Sequence, residues 1–300
     1  MASATSAPTR PLIGVVGDYV ALTKPRVMSL LLLTTAATMV VADRGFPEPG
    51  LFVAVLCGGA LAAGGAAAIN HALDRDLDAA MGRTRGRPVT SGRVSAVHAL
   101  AFGALLGAAS LALLWSAANP LAALLAQAGL VVYVLVYTMW LKRTTPQNIV
   151  IGGAAGAFPP LVAWAAVTGD LSLTAIALFA IVFYWTPPHF WALAILIKGD
   201  YARAGVPMLP VVAGERETAR QILAYSVILA VVSLVPALTM SVSALYPLVA
   251  VALGAVLVAG AVRLLTVPAE CMRDQARSLY KFSLLYLALL FCALAVAAAG

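Results

Sequence analysis

Charge is what this 300-residue sequence has least of: Asp, Glu, Lys and Arg make up 10%, against about 25% in a typical globular chain. Hydrophobic residues fill the gap at 62%, well above the roughly 45–50% of soluble domains. So few polar side chains cannot cover a water-facing surface, and the apolar excess must face lipid. A soluble enzyme, a nucleic-acid-binding module and a disordered hub are excluded at this step. Cysteine is scarce as well. Cys57 and Cys292 lie in apolar runs and Cys271 in a polar stretch, a scatter that makes neither a disulfide framework nor a zinc site. The alternating ten-residue segments of a transmembrane barrel are missing. Residues 1–20 lack a compact apolar core with a cleavage site, and they read as a short disordered cytoplasmic tail rather than a signal peptide.

What is present is long apolar runs. A helix needs about 20 apolar residues to cross a bilayer core. Nine runs qualify, near 27–43, 51–69, 96–117, 120–140, 149–168, 173–197, 221–243, 245–265 and 282–299. They predict an all-α integral membrane protein with about nine transmembrane helices, forming a single membrane-embedded domain over residues 21–300. If the N-terminus is cytoplasmic, all 19 Lys and Arg residues except Arg44 fall on the cytoplasmic side. That asymmetry is expected of inside loops, and it places the C-terminus outside. It also explains the net charge of +7 without nucleic acid. The inside loops after the second and sixth runs are the longest, four spans apart, which hints at two similar four-helix halves.

The first of these loops carries chemistry. On a helix Asn70, Asp74 and Asp78 advance about 40° per step of four and share one face, while Asp76 points elsewhere. Two carboxylates one turn apart at the cytoplasmic end of an apolar helix repel each other and call for a cation. An amide and two carboxylates are hard oxygen ligands that suit Mg²⁺, which commonly completes its shell with water and substrate phosphate. Immediately downstream, Met81 to Pro88 interleaves Arg83, Arg85 and Arg87 with Gly82 and Gly86. Arginine forks match phosphate oxygens. The pair reads as a metal–diphosphate clamp. Two other readings stand beside it: a solvated loop whose charges pair with one another and set topology, and an ion-coupled transporter for an anionic lipid or metabolite. Transporter sites usually lie near the midplane, whereas these carboxylates lie at the membrane edge.

The stretch Asn70–Pro88, N-x-x-x-D-x-D-x-D-x-x-M-x-R-T-x-x-R-P, resembles the first aspartate motif of the UbiA-type membrane prenyltransferases. Leu22–Arg26 (LTKPR), Tyr137–Gly153 (YTMWLKRTTPQNIVIGG), Gly156–Pro160 (GAFPP), Trp185–Ala194 (WTPPHFWALA) and Asp200–Val211 (DYARAGVPMLPV) are similar to further segments of that family. The last two point to its haem-prenylating branch. The resemblance covers most of residues 20–215. It implies a UbiA-type bundle of nine spans, Mg²⁺ dependence, and farnesyl transfer from farnesyl diphosphate to a vinyl group of haem B, giving haem O. It further implies a place upstream of haem-copper oxidases, with a haem A synthase or oxidase-assembly factor as partner. A quinone-precursor prenyltransferase of the same family is the nearest alternative.

On this resemblance Asn70, Asp74 and Asp78 would hold the metal against the diphosphate. Arg83, Arg87, Lys142 and Arg143 would stabilise the leaving charge, with Asn148 beside them at an inside span boundary. Most of the superfamily carries a second D-x-x-x-D-type motif in the later loop; here that loop offers only Asp200. The haem end would be served by His189, after Pro187-Pro188 where a broken helix frees carbonyls, and by Lys198, Asp200 and Arg203, whose cations suit propionates. His189 as a hydrogen-bonded core residue is an equal reading. His71, about 100° off the Asn70 face, reads as a helix-surface residue, and His98 as interfacial. Trp164, Trp185 and Trp191 read as interfacial anchors, with stacking on porphyrin as the alternative. The segment 263–281 reads as a topogenic loop. Arg greatly outnumbers Lys and no Arg- and Ser-rich leader is seen, which suits a bacterial inner membrane.

Overall fold

The computed structural model describes residues 11–299. Among them nine helices are long and apolar enough to cross a membrane: Pro25–Asp43, Pro49–Leu73, Ala96–Ala117, Pro120–Thr144, Asn148–Thr168, Leu173–Leu196, Gly214–Thr239, Leu245–Thr266 and Ala269–Ala299. They are called the first to ninth spans below. Each packs on its successor, and the ninth returns to the first, closing the bundle. Cross-contacts from first to fifth and from sixth to ninth lie within this ring.

Small residues bring the second and third spans close together. A Cβ on Gly65 would meet the Gly103 carbonyl oxygen at 2.7 Å, and one on Gly103 would meet that of Gly65 at 2.7 Å. Without a hydrophobic drive between helices in lipid, such backbone approach is a main source of packing energy. Between the sixth and ninth spans the polar groups do the fastening. Trp185 Nε1 donates to the Ser283 carbonyl at 2.7 Å across the interface.

Three sequence expectations are corrected here. The tail proposed over 1–20 is helical from Leu12 to Leu22; residues 1–10, Arg10 included, lie outside the described residues. Asp18 on this helix accepts from Arg93 at 2.8 Å and Tyr19 packs edge-on against Phe102 at 5.0 Å. Leu12 and Ile13 on it stay 78% and 87% exposed. The topogenic loop over 263–281 shrinks, because a helix already begins at Met272. Arg273, Asp274 and Arg277 sit on its exposed face, so a search for apolar runs passes over this polar turn. The sixth span is also not broken: it runs from Leu173 to Leu196 through Pro187 and Pro188. The missing proline N–H groups still leave carbonyls one turn earlier without their helical donors.

The fourth span is wound unusually. From Val132 to Leu141 it is a π-helix between ordinary α segments, a geometry that is rare beyond a single turn and frequent at functional sites. The Thr138 hydroxyl donates to the Tyr133 carbonyl, five residues back, at 2.9 Å.

Candidate active site

The second span ends at Leu73. Asp74 caps it with φ −93° and ψ 9°, outside helical geometry, and a short helix restarts over Arg75–Ala80. The single continuous helix face predicted for Asn70, Asp74 and Asp78 is therefore interrupted, because the chain bends where the carboxylates begin. Asn70 and Asp74 still meet, while Asp78 is bonded to Arg87 and to neither of them among the described residues. Asn70 Nδ2 donates to Asp74 Oδ2 at 2.6 Å and to the Thr138 hydroxyl at 3.1 Å. Asp74 and Asp78 are 0% and 2% exposed.

Cations close around them. Lys142, at the end of the π-wound stretch, donates to Asp74 Oδ2. Arg87 holds both oxygens of Asp78 through one nitrogen, at 2.9 and 2.8 Å. Arg143 forks onto Asp76 at 2.7 and 2.8 Å and keeps that carboxyl down at about 2. Asp76 thus points away from the other two, as its helical phase predicts. Lys24 donates to Asn70 Oδ1 at 2.7 Å. Burial, then the neighbouring Arg87 and Lys142, lower its pKa to about 7. Its backbone takes φ 52°, a left-handed conformation that costs about 1–2 kcal/mol for a non-glycine residue. The charges do pair internally, as the solvated-loop reading expects; Asp74 and Asp78 do so buried, whereas the Arg143–Asp76 pair faces solvent.

The donor chemistry fits a divalent ion in one respect and is incomplete in another. Asp74 Oδ1 is buried with no hydrogen-bond partner, Arg143 standing 3.7 Å away. Such an orphaned oxygen is costly unless something binds it. Asn70 and Asp78 supply the further hard oxygens, yet those are occupied by Lys24 and Arg87. No group of three or more His, Cys, Asp or Glu side chains gathers as a metal site among the described residues.

The remaining predicted residues are placed unevenly. Arg83 is exposed and makes no ion pair among the described residues. Asn148 is buried, donates to the Thr145 carbonyl at 2.6 Å and leaves Oδ1 unpartnered, but no bond joins it to the carboxylates. Lys198 pairs with Glu215 at 3.3 Å and Asp200 with Arg203, and none of Lys198, Asp200 and Arg203 lines the cavity that holds His189. Asp200 instead lies beside the aspartate loop, where a Cβ on Gly82 would touch its Oδ1 at 3.8 Å. Burial raises the Tyr201 phenol, and Arg83 and Arg87 draw it back, so the second long loop folds over the first. His71 is not a surface residue: it is 2% exposed with both ring nitrogens unpartnered. Trp164, Trp185 and Trp191 are buried core rather than interfacial anchors.

A cavity of about 1080 Å³ runs between the first, second, fourth, fifth, sixth and ninth spans; Lys24, which donates to Asn70, lines it, whereas Asn70, Asp74 and Asp78 do not. Its walls are mostly Leu, Ala, Phe and Gly. Lys24 and Tyr133 mark one part of it; Trp185, His189 and Tyr280 mark another. Sequence reasoning missed Thr138, Tyr280, Lys281 and Ser283, since no spacing links them. Lys24 belonged to a quoted motif without a role.

The UbiA prenyltransferase family pattern matches residues 31–285. The chain belongs to the UbiA prenyltransferase family. It is 54% identical over 285 residues to a protoheme IX farnesyltransferase of Gloeobacter violaceus, covering 95% of this chain and 93% of that one. A protoheme IX farnesyltransferase of Chloroflexus aurantiacus is 55% identical over 93% of this chain, which spans only 47% of that relative's length. Among solved structures, a digeranylgeranylglyceryl phosphate synthase superposes with TM-score 0.75 at 17% identity, covering 95% of this chain and 99% of that one. A UbiA homologue of Archaeoglobus fulgidus with GPP and Mg²⁺ bound gives 0.71 at 17% identity, covering 92% and 99%. These last two establish the fold: a UbiA bundle, multi-pass in the membrane.

Proposed function

We propose that this chain transfers the farnesyl group of farnesyl diphosphate to a vinyl group of haem B, with addition of water, giving haem O and diphosphate. The observation that carries the reading is a buried, half-satisfied Asp74, held by Lys142 and linked through Asn70 and Lys24 to an apolar cavity of about 1080 Å³. A charged head and a greasy tail need those two environments side by side. The choice of haem B as acceptor rests on the protoheme IX farnesyltransferases that match nearly the whole chain.

Asp74 Oδ1, with Asp78 and Asn70, would hold Mg²⁺. Once bound, the ion neutralises diphosphate charge and favours departure of the leaving group. The chain's own residues do the rest. Arg83, exposed and unpaired, meets a phosphate first. Arg87, Lys142 and Arg143 supply the positive field in which negative charge grows as the allylic carbon–oxygen bond breaks, with Asn148 lending an amide. Such preorganised electrostatics are worth several kcal/mol. The carbon–oxygen electron pair leaves with diphosphate, the vinyl π-pair bonds to the allylic carbon, and water adds to the resulting cation and releases a proton. Until then the Leu, Ala and Phe walls keep other water out.

The one-sided Lys and Arg distribution supports a cytoplasmic N-terminus and an outer C-terminus. The bacterial relatives support an inner-membrane location. A haem A synthase or oxidase-assembly factor would take up the product. The test is incubation of membranes carrying the protein with farnesyl diphosphate, haem B and Mg²⁺, and mass detection of haem O. Conversion of a quinone precursor instead of haem B would replace this reading with that of a sister enzyme. Uptake without conversion would make the protein a transporter.

A further inference from the structure

His189 lies in the wall of the apolar cavity, between the ring of Trp185 at 4.3 Å and that of Tyr280 at 4.8 Å, both near parallel to it. Its Nδ1 is 2.8 Å from the Ser283 hydroxyl oxygen. That hydroxyl has one proton, and it is donated to the Tyr280 carbonyl at 2.7 Å. With the hydroxyl proton on the Tyr280 carbonyl, Ser283 accepts from His189, and we assign the tautomer in which Nδ1 carries the hydrogen and Nε2 keeps its lone pair. Nε2 has no hydrogen-bond partner among the described residues, and unlike the nitrogens of His71 it is not sealed off inside protein. The Trp185 Nε1 bond to the Ser283 carbonyl locks the same serine from the other side.

A neutral imidazole with one nitrogen tied down and the other presented to a cavity is the arrangement that metal-ligating histidines use. An apolar pocket offers such a lone pair nothing else to bind. At the border of the same cavity stand two cations, Arg26 and Lys281, both exposed and without an ion pair among the described residues. We infer that the part of the cavity around Trp185, His189 and Tyr280 is a porphyrin slot in which His189 Nε2 ligates the iron of haem B, Ser283 is its positioning residue, and Arg26 and Lys281 receive the propionates, the Lys24 and Tyr133 part being left to the isoprenoid. This rests on the acceptor being haem B. It differs from the sequence expectation, which gave the propionates to Lys198 and Arg203; those lie outside the cavity.

The test titrates ferric haem B into the full chain in detergent or nanodiscs, read by absorption and electron paramagnetic resonance. Wild type is expected to give an imidazole-ligated spectrum. His189→Ala and His189→Gln should lose that spectrum, with free imidazole restoring it in the alanine variant. Ser283→Ala should weaken haem binding about 10–100-fold, the usual effect of removing a ligand's outer partner. Metal-free protoporphyrin IX should bind wild type and His189→Ala alike. Arg26→Ala/Lys281→Ala should weaken haem B but not its dimethyl ester. Retained Mg²⁺-dependent binding of farnesyl diphosphate certifies that each variant is folded. A wild-type spectrum in both His189 variants would overturn the ligand assignment while leaving the farnesyl-transfer reading intact. Failure of wild type both to bind and to convert haem B would instead remove the acceptor, and this inference with it.

Discussion

Lys142 donates to Oδ2 of a fully buried Asp74, while Oδ1 of the same carboxylate has no hydrogen-bond partner. One oxygen is committed to the fold and the other is left for a ligand. Asp74→Asn keeps the shape, removes the charge and should lower turnover by about 10²–10³-fold, the range seen when one transition-state contact of this kind is lost. The variant also strands the Lys142 ammonium, at about 3–5 kcal/mol. Adding Lys142→Met should therefore recover thermal stability without recovering haem O formation. Recovery of both would remove Asp74 from the chemistry.

Chelation separates structure from activity in the same way. Lys142, Arg143 and Arg87 already balance the carboxylates, so the fold does not depend on a bound ion. Treatment with EDTA should abolish haem O formation and added Mg²⁺ restore it, while the melting temperature in detergent moves by no more than about 2 °C, the equivalent of about 1.3 kcal/mol in a chain this large. A collapse of the fold on chelation would contradict the charge balance described above.

Arg87 reaches both oxygens of Asp78. Arg87→Lys retains the charge but loses the guanidinium N–H groups that Asp78 leaves free for a phosphate. A fall of about tenfold in kcat/KM for farnesyl diphosphate is expected, corresponding to about 1.4 kcal/mol. Steady-state kinetics with haem B saturating would measure it, and unchanged kinetics would show that Arg87 acts only as a point charge.

Gly103 allows no side chain, since the Gly65 carbonyl lies 2.7 Å from where its Cβ would stand and Ile69 Cγ1 only 2.6 Å away. Gly103→Val must push the third span off the second. Destabilisation of about 1–3 kcal/mol, as for other overpacked cores, should appear as a lower melting temperature. Activity should fall with it, because Asn70 follows Ile69 directly.

The periodicity and apolar runs of the sequence carry all nine spans, because crossing lipid leaves a composition that nothing else in a protein imitates. The ends are less legible. The ninth helix starts at Met272 on polar residues, and the N-terminal helix is only 11 residues long, too short to register as a span. At the site, the i, i+4 spacing of Asn70, Asp74 and Asp78 finds the acid cluster, and the Arg-rich stretch after it finds Arg87. Spacing says nothing of which cation meets which carboxylate. Lys24 sits just before the first span and Lys142 in the fourth, 46 and 68 residues from their partners. Likewise Ser283 meets His189 only because the ninth span returns to the sixth. Lys198 and Arg203, close in number to His189, pair with Glu215 and Asp200 in the second loop and do not line the cavity that holds it.

The helix Leu12–Leu22 is fastened on one side by Asp18 and Tyr19, and its Leu12 and Ile13 find no cover among the described residues. Apolar side chains on a short surface helix settle among acyl chains just below the headgroups. Because Asp18 grips Arg93, immediately downstream of the aspartate loop, that float sets the loop's depth. Carboxylates moored in this way would lie at the level where an isoprenoid diphosphate changes from phosphate to hydrocarbon, and a substrate diffusing sideways in the leaflet would arrive with its head at the right height.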